Sequence, residues 1–208
     1  MGVITAIEPQ KRKKDRLNVF VDGEFAVGLS PEIVFKEGLR VGQRISSPKL
    51  KKLIKENELD KVLNKVYKFL SYRPRSEKEL TDYLCQKKAS PFLTELVIET
   101  LKRQKYLDDR EFALWWVEQR LKFHPVGKHV LRKELFKKGI NKEIVDEVVS
   151  CQLSVVSLRN LALKIAQKRA LRYKADPTEL RRKMGSFLAR RGFDWETIKE
   201  VVDKIQQG

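Results

Sequence analysis

The sequence predicts a mainly α-helical chain: tandem three-helix repeats forming an elongated curved array, preceded by a small antiparallel β-containing domain. Three observations predict it. A module recurs about every fifty residues, since Leu80, Leu84 and Lys87-Lys88 align with Leu131, Leu135 and Lys138-Gly139 at an offset of 51. A further offset of 53 brings them to Met184, Leu188 and Arg191-Gly192. From Pro48 onward apolar residues recur at i, i+3 and i+4, which places them on one face of a helix. Before that point the pattern is period-two, with a turn signal in its middle. Fixed periods of this length belong to stacked arrays, which offer long surfaces and seldom a deep catalytic pocket.

Residues 1–46 form the β-rich domain. Val3 to Ile7 alternates, as do Leu17, Val19 and Val21, and Asp22-Gly23 separates the latter from Phe25, Val27 and Leu29. Asp-Gly between alternating runs predicts a two-residue hairpin, because a primed turn needs positive φ that Gly tolerates. Ser30-Pro31-Glu32 supplies an N-cap, a Pro at the first helical position and an early acid, so a short helix follows and ends at Gly38. Leu39 to Ser46 is expected to return as a strand.

Residues 47–58 read as a cationic helical connector carrying Leu50, Leu53 and Ile54 on one side. Repeat 1 spans 59–107, with a first stripe of Val62, Val66, Phe69 and Leu70. Ser76 then caps a helix bearing Leu80, Tyr83 and Leu84, and Ser90-Pro91 opens one bearing Leu93, Leu96, Val97 and Leu101. Repeat 2 spans 108–152. Its first helix follows Asp108-Asp109 and carries Phe112, Trp115, Trp116, Leu121 and Phe123; the second runs from about Gly127 to Lys138, the third from Asn141 to Ser150. Repeat 3 spans 153–208, with Leu158, Leu161, Ala162 and Ile165 in a long first helix. Asp176-Pro177 starts its second, with Leu180, Met184, Phe187 and Leu188 inward, and Asp194 caps its third. Leu80, Leu84, Leu131, Leu135, Gly139, Met184, Leu188 and Gly192 are thus structural repeat positions. Fifty residues bury too little core to stand alone, so neighbouring repeats should pack on one another.

The chain carries 45 Lys and Arg against 28 Asp and Glu over 208 residues, a formal charge of +17. A heat-stable surface normally raises both signs together; a one-sided excess points to a polyanionic partner, nucleic acid or a protein bound to it. The charge concentrates between Arg159 and Arg191. There Arg159, Lys164, Lys168, Arg169, Arg172, Lys174, Arg181, Arg182, Lys183, Arg190 and Arg191 face only Asp176 and Glu179. Lys164, Lys168 and Arg172 are four apart and line one helical face, where like charges destabilise an isolated helix. A second band holds Arg73, Arg75, Lys87 and Lys88 in repeat 1 with Lys128, Arg132, Lys137 and Lys138 in repeat 2. Equivalent positions of an array can align along a phosphate backbone, and each neutralised phosphate steepens the salt dependence.

Tyr72, Trp115, Trp116, Phe123 and Tyr173 could stack on bases, although core packing is the expected role for most of them. Adjacent Trp115 and Trp116 should not both face the same way on a helix, one going to the core and the other to an interface or an inter-module anchor. Cys85 and Cys151 lie far apart without metal spacing and are expected to be buried free thiols. His124 and His129 fit no metal motif. Gly127-Lys128 resembles the tail of a phosphate loop, but Lys122 stands where its first Gly belongs and His129 where Ser or Thr would. Asp108-Asp109 reads as an N-cap with dipole complementation. No triad, paired-acid site or cofactor fingerprint is present, so no catalytic residue, cofactor or metal is assigned. No window approaches a membrane span of about 20 apolar residues, and a cytoplasmic location is expected.

These residues also carry a family likeness. Arg73-Pro74-Arg75-Ser76-Glu77-Lys78-Glu79-Leu80, Tyr106-Leu107-Asp108-Asp109-Arg110-Glu111-Phe112-Ala113, and Arg120 with Pro125, Gly127, Leu131, Glu134-Leu135, Lys138-Gly139 and Ile140 resemble the RecX family of bacterial recombination regulators. Ile4-Thr5, Asp15-Arg16, Asn18-Val19 and Asp22-Gly23-Glu24-Phe25-Ala26-Val27-Gly28-Leu29 look like the N-terminal extension of some members. Lys105 stands where members often have Gly before Tyr-Leu-Asp-Asp, so a less tight turn is expected there.

The resemblance implies tandem three-helix modules and a non-enzymatic modulator of RecA, the recombinase that polymerises on single-stranded DNA. It implies binding along the RecA filament that restrains strand exchange, ATP hydrolysis and filament growth, as part of recombination, DNA repair and the SOS response. Expected partners are RecA, free or as nucleoprotein filament, and single-stranded DNA, with double-stranded DNA a further candidate, no membrane and a monomeric chain. The alternative is a general nucleic-acid-binding repeat protein without RecA specificity. The contact residues are assigned from charge and spacing: Arg73, Arg75, Lys128, Arg132, Lys138, Lys164, Lys168, Arg169, Arg172, Arg181, Arg182, Lys183, Arg190 and Arg191.

Overall fold

A computed structural model describes residues 1–10, 16–151, 155–171 and 176–207, with backbone alone at 155–157 and 207. The chain divides into two compact units, Met1–Ser71 and Tyr72–Gly208.

In the first unit β1 (Gly2–Pro9), β2 (Leu17–Val21), β3 (Glu24–Leu29) and β4 (Arg44–Ile45) form one sheet in the order β3-β2-β1-β4, every neighbouring pair antiparallel. Alternation puts Ile4, Val19, Val27 and Leu29 into a core completed by Leu39, Ile45 and Leu53. The β2–β3 hairpin turns at Asp22 and Gly23, whose φ values of 52° and 85° are those of a primed turn. Asp22 holds the turn against β1 by accepting the Val3 N–H at 2.8 Å. Helix α1 (Pro31–Lys36) begins at the Ser30 cap, and Gly38 at φ 59° ends it. The return expected over Leu39 to Ser46 narrows to the two residues of β4, because the chain turns through Val41-Gly42 first.

Ser46 caps α2 (Ser47–Leu70), one unbroken helix of 24 residues. The connector expected at 47–58 and the first helix expected from 59 are therefore continuous. Lys49 to Leu70 contains neither Gly nor Pro, so nothing in the sequence ends the first to start the second. The Arg16 guanidinium donates to the Gly28 carbonyl of β3 and to Asn57 of α2, which gives the buried Asn57 amide its partner.

The second unit holds α3 (Glu77–Gln86) and α4 (Pro91–Arg103) of repeat 1. Repeat 2 contributes α5 (Asp109–Phe123), α6 (Lys128–Lys137) and α7 (Lys142–Cys151); repeat 3 contributes α8 (Val155–Ala170), α9 (Pro177–Arg190) and α10 (Trp195–Gln207). Short polar side chains satisfy the orphan N–H groups at the starts. Ser76, Ser90, Asp108 and Asp176 cap α3, α4, α5 and α9, while Asn141 and Asp194 accept from the Ile144 and Thr197 amides at 2.9 and 2.8 Å.

The ends of α3, α6 and α9 are equally alike. Lys88, Gly139 and Gly192 take φ of 59°, 82° and 76°, and the next amide reaches back to Leu84, Leu135 and Leu188 at 3.1, 3.1 and 3.3 Å. Lys105 repeats this left-handed conformation at φ 60°, with Tyr106 bonded to the Leu101 carbonyl at 2.9 Å. The turn there is as tight as a glycine turn, contrary to expectation, because α4 needs the same closure whatever residue supplies it.

Leu80, Leu84, Leu131, Leu135, Met184 and Leu188 are all buried. Repeats 2 and 3 share a single core running from Phe112, Val117 and Leu135 through Val148 and Leu158 to Met184, Leu188 and Val201. Cys85 and Cys151 are both exposed, which corrects the expectation of buried thiols: Cys85 is one position past buried Leu84 and Cys151 two past buried Val149, and each lies off the buried face. Tyr72 and Phe123, at 72% and 60% exposure, are likewise outside the core, and Tyr173 lies outside the described residues.

Candidate nucleic-acid interface

Neighbouring repeats meet in the same way twice. Ser76, which caps the second helix of repeat 1, donates its Oγ–H to the Lys138 carbonyl at 2.7 Å. Gly127, the cap of the second helix of repeat 2, donates its N–H to the Arg191 carbonyl at 2.8 Å. Both acceptors cap the second helix of the following repeat, one residue before its left-handed glycine. Space is tight there. A Cβ on Gly139 would stand 2.6 Å from Lys78 Cβ, and one on Gly127 only 2.0 Å from the Gly192 carbonyl oxygen.

The first junction absorbs three residues assigned above as contacts. Arg73 grips Glu79 with both terminal nitrogens, at 2.9 and 3.1 Å, Lys138 reaches the same carboxylate from repeat 2, and Arg75 lies 3.9 Å away. Burial alone would push the Glu79 carboxyl up; hydrogen bonds from Arg73 and Lys138 outweigh it and hold the group below the ordinary carboxylate range. Arg75 is held below its ordinary basicity by burial and then by Arg73.

Both tryptophans lean on this network. Arg73 sits 5.9 Å from the Trp115 ring and Lys138 4.8 Å from that of Trp116, while both rings pack on Phe112. Trp116 donates to Glu134 at 3.0 Å, as does Arg120 at 2.9 and 2.7 Å. The expected inter-module anchor is found, but the expected division of one indole to the core and one outside is not: both are half-buried and reach the one junction, because rings this wide bridge the 100° between neighbouring positions. Asp109, besides standing in the first turn of α5, accepts the Glu77 N–H at 2.8 Å and so serves the start of α3 as well.

The remaining assigned residues fall into several settings. Arg132 pairs with Asp146 at 3.2 Å, Arg181 with Asp203 at 2.8 Å and Lys183 with Glu179 at 2.8 Å, each within its own repeat. Half-exposed pairs of this kind hold their cations weakly, so they can exchange to another anion. Lys164, Lys168, Arg182 and Arg190 are exposed, the two lysines one turn apart on α8, and Lys128 is half-buried in the first turn of α6. Arg172 lies outside the described residues. Arg169 and Arg191 both lie over the Phe187 ring, at 4.6 and 5.0 Å.

The cationic character is thus weighted to repeat 3. Sequence reasoning placed Phe187 only as an inward residue and named Arg120 only among the residues of the family likeness, not as a contact. Arg120 and Arg169 each stand in the last turn of their helices, and Arg191 caps α9, a shared position that could have linked them.

Among the described residues no group of His, Cys, Asp or Glu is placed to hold a metal. No helix among them is long and apolar enough to cross a membrane. A groove of about 530 Å³ in repeat 1, between Glu77, Cys85, Glu95, Glu99 and Lys102, is acidic on balance and so repels phosphate.

Models of the RecX N-terminal domain and of the first, second and third RecX three-helix domains match residues 2–46, 63–101, 108–149 and 159–202. A regulatory protein RecX of Clostridium tetani is 33% identical, covering 97% of this chain and 94% of its own. Another, of Bacillus subtilis, is 33% identical over 99% of this chain and 78% of its own. A crystal structure of a regulatory protein RecX superposes with a TM-score of 0.78 at 23% identity, covering 98% of this chain and all of the other. That of RecX from Lactobacillus salivarius gives 0.66 at 21%, covering 74% and 99%. With its N-terminal sheet and all three helical repeats matched, and relatives a third identical along almost the whole length, the chain belongs to the RecX family of regulatory proteins.

Proposed function

We propose that this chain regulates RecA, chiefly as an inhibitor: it binds the RecA filament on single-stranded DNA and restrains strand exchange, ATP hydrolysis and filament growth in recombination and repair. The observation that carries the reading is family membership along the full length, the relatives being named regulatory proteins. The charge of +17, concentrated in repeat 3, supports it physically, because a filament on DNA presents rows of phosphates to such a surface. Many weak contacts from successive repeats add up through avidity. The chain works as a cytoplasmic monomer organised as a β-rich domain and three repeats, and it contributes binding and no catalysis.

Titration into RecA on single-stranded DNA with ATP tests the proposal: ATPase, strand exchange and filament length all fall. No change in any of them overturns it. The charge by itself favours a second reading, a nucleic-acid-binding repeat protein indifferent to RecA. Tight, salt-dependent binding to bare DNA that RecA leaves unaltered would establish that reading instead.

A further inference from the structure

Repeat 1 departs from repeat 2 on one face. The groove of about 530 Å³ between α3 and α4 has a half-buried floor of Ala89, Thr94 and Ile98. Thr81 and Cys85 stand exposed along its α3 side, Glu95 and Glu99 along its α4 side. The members of each pair are four residues apart, so they lie one above the other on their helix. Side chains as short as Thr and Cys do not reach across, and the space between the helices stays open.

Repeat 2 closes the same position. An offset of 51 carries Thr81, Cys85 and Glu95 to Arg132, Phe136 and Asp146. There Arg132 spans from α6 to α7 and donates to Asp146 at 3.2 Å, so an acid of the third helix takes its cation from the second. In repeat 1 the cross-link runs the other way, from Lys102 in the last turn of α4 to Glu77 in the first turn of α3 at 2.6 Å. Among the described residues neither Glu95 nor Glu99 is paired with a cation. The lining thus sets three acids, Glu77, Glu95 and Glu99, against Lys102, in a chain of formal charge +17. A cationic ligand is repelled by the field of the chain as a whole and drawn to this groove.

We infer that the α3–α4 groove docks a basic amphipathic helix of a protein partner, whose apolar edge lies on Ala89 and Ile98 and whose Lys or Arg side chains, one turn apart, meet Glu95 and Glu99. The first of those cations takes the place that Arg132 fills in repeat 2. Helices laid in apolar grooves anchor at i and i+4, and Glu95 and Glu99 keep that spacing, about 6 Å along the axis. The volume falls within the about 300–1,000 Å³ of clefts that enclose ligand groups, which suits the few side chains on one edge of a helix. Charge on the rim selects the partner and fixes its register. A surface of this sign has no use for a phosphate backbone, so the docking role goes beyond the filament reading above and stands without it.

The test uses the full chain without RecA or DNA, and a capped helical peptide of Leu, Ala and Lys as the probe. Cys85 lines the groove, Cys151 does not, and both thiols are exposed, so alkylation by N-ethylmaleimide followed by mass spectrometry carries its own reference. With peptide at about ten times its dissociation constant, Cys85 reacts about tenfold more slowly, because only the empty groove admits the reagent. Cys151 keeps its rate. Glu95→Lys with Glu99→Lys abolishes the protection at unchanged helix content, and so does Thr81→Arg, which copies the closure of repeat 2. The same peptide with Glu in place of Lys protects neither thiol. Cys85 left unprotected up to about 1 mM peptide, which excludes any tighter dissociation constant, would overturn the site. Protection that survives the charge reversal or Thr81→Arg, or that extends equally to Cys151, would do the same. Protection by oligothymidylate would make this a nucleic-acid surface, and Cys85 reactivity that falls with protein concentration alone would make the occupant a second copy of this chain; either overturns the inference. RecA is absent throughout, so no result here decides the RecA proposal, and failure of that proposal leaves this one standing.

Discussion

Replacing Glu79 by Gln isolates the charge network that joins repeats 1 and 2. The carboxylate pairs with Arg73, Arg75 and Lys138, and Gln keeps its shape while turning one acceptor into an NH₂ that faces cations. An exposed pair is worth about 0–1 kcal/mol, and removing one partner of a fully buried pair costs about 3–5. The Glu79 side chain is 14% exposed and its cations 18–28%, so the setting is intermediate and the expected loss about 2 kcal/mol. Urea unfolding followed by tryptophan emission reads it, since Trp115 and Trp116 stand over the network, and at ordinary slopes the midpoint falls by about 1 M. The effect also has a pH signature. Glu79 titrates below its unfolded value, so its contribution is complete above the unfolded carboxylate pKa, about 4.3, and disappears as pH falls through the lower folded value. The gap between wild type and Glu79→Gln is therefore full at neutral pH and closes as pH falls below the ordinary carboxylate range. A loss under about 0.5 kcal/mol at neutral pH, or a gap that ignores pH, refutes the assignment of this network to stability.

Leu135→Ala, at a wholly buried position in the core of repeats 2 and 3, costs about 2–5 kcal/mol in chemical denaturation, and a value near zero argues against the shared core. Gly192→Ala lowers stability by about 1–3 kcal/mol, since φ is 76° and the new Cβ meets Val130 at 2.6 Å. By contrast Gly185→Ala, inside α9 with 3.9 Å to its nearest neighbour, raises stability by about 0.5–1 kcal/mol; calorimetry on the pair checks both signs. Lys164→Gln with Lys168→Gln weakens association with the RecA filament at unchanged helix content, and an unaltered affinity and salt slope shows that this face of α8 makes no contact.

What the sequence made legible was mostly local. Ser76, Ser90, Asp108, Asn141 and Asp194 announce helix starts because a cap bonds only two or three residues ahead. The periodicity of Leu80, Leu131 and Met184 announces the repeat because burial follows the helical face. Contacts between distant residues were not legible. Lys138 lies 59 residues from Glu79, and nothing near it in the chain says that its charge is already engaged. The same holds for Arg73, whose distance from Trp115 is set by the junction and by no spacing. In two places the signal was local and went unused. Lys49 to Leu70 has no breaker, which is enough for one helix, and Cys85 and Cys151 sit one and two positions past the buried residues Leu84 and Val149, off the apolar face.

The twin junction has a bearing on how such a chain can change length. At both joints the following repeat offers a main-chain oxygen, of Lys138 or Arg191, and the preceding repeat needs only some hydrogen-bond donor at its cap; a serine hydroxyl serves in one case and a glycine amide in the other. A coupling built on backbone is indifferent to which unit supplies it. Excising residues 108 to 158 or duplicating them would present Ser76 or Gly127 with an acceptor of the same kind, so units can be spliced in or out while the fittings between them stay interchangeable.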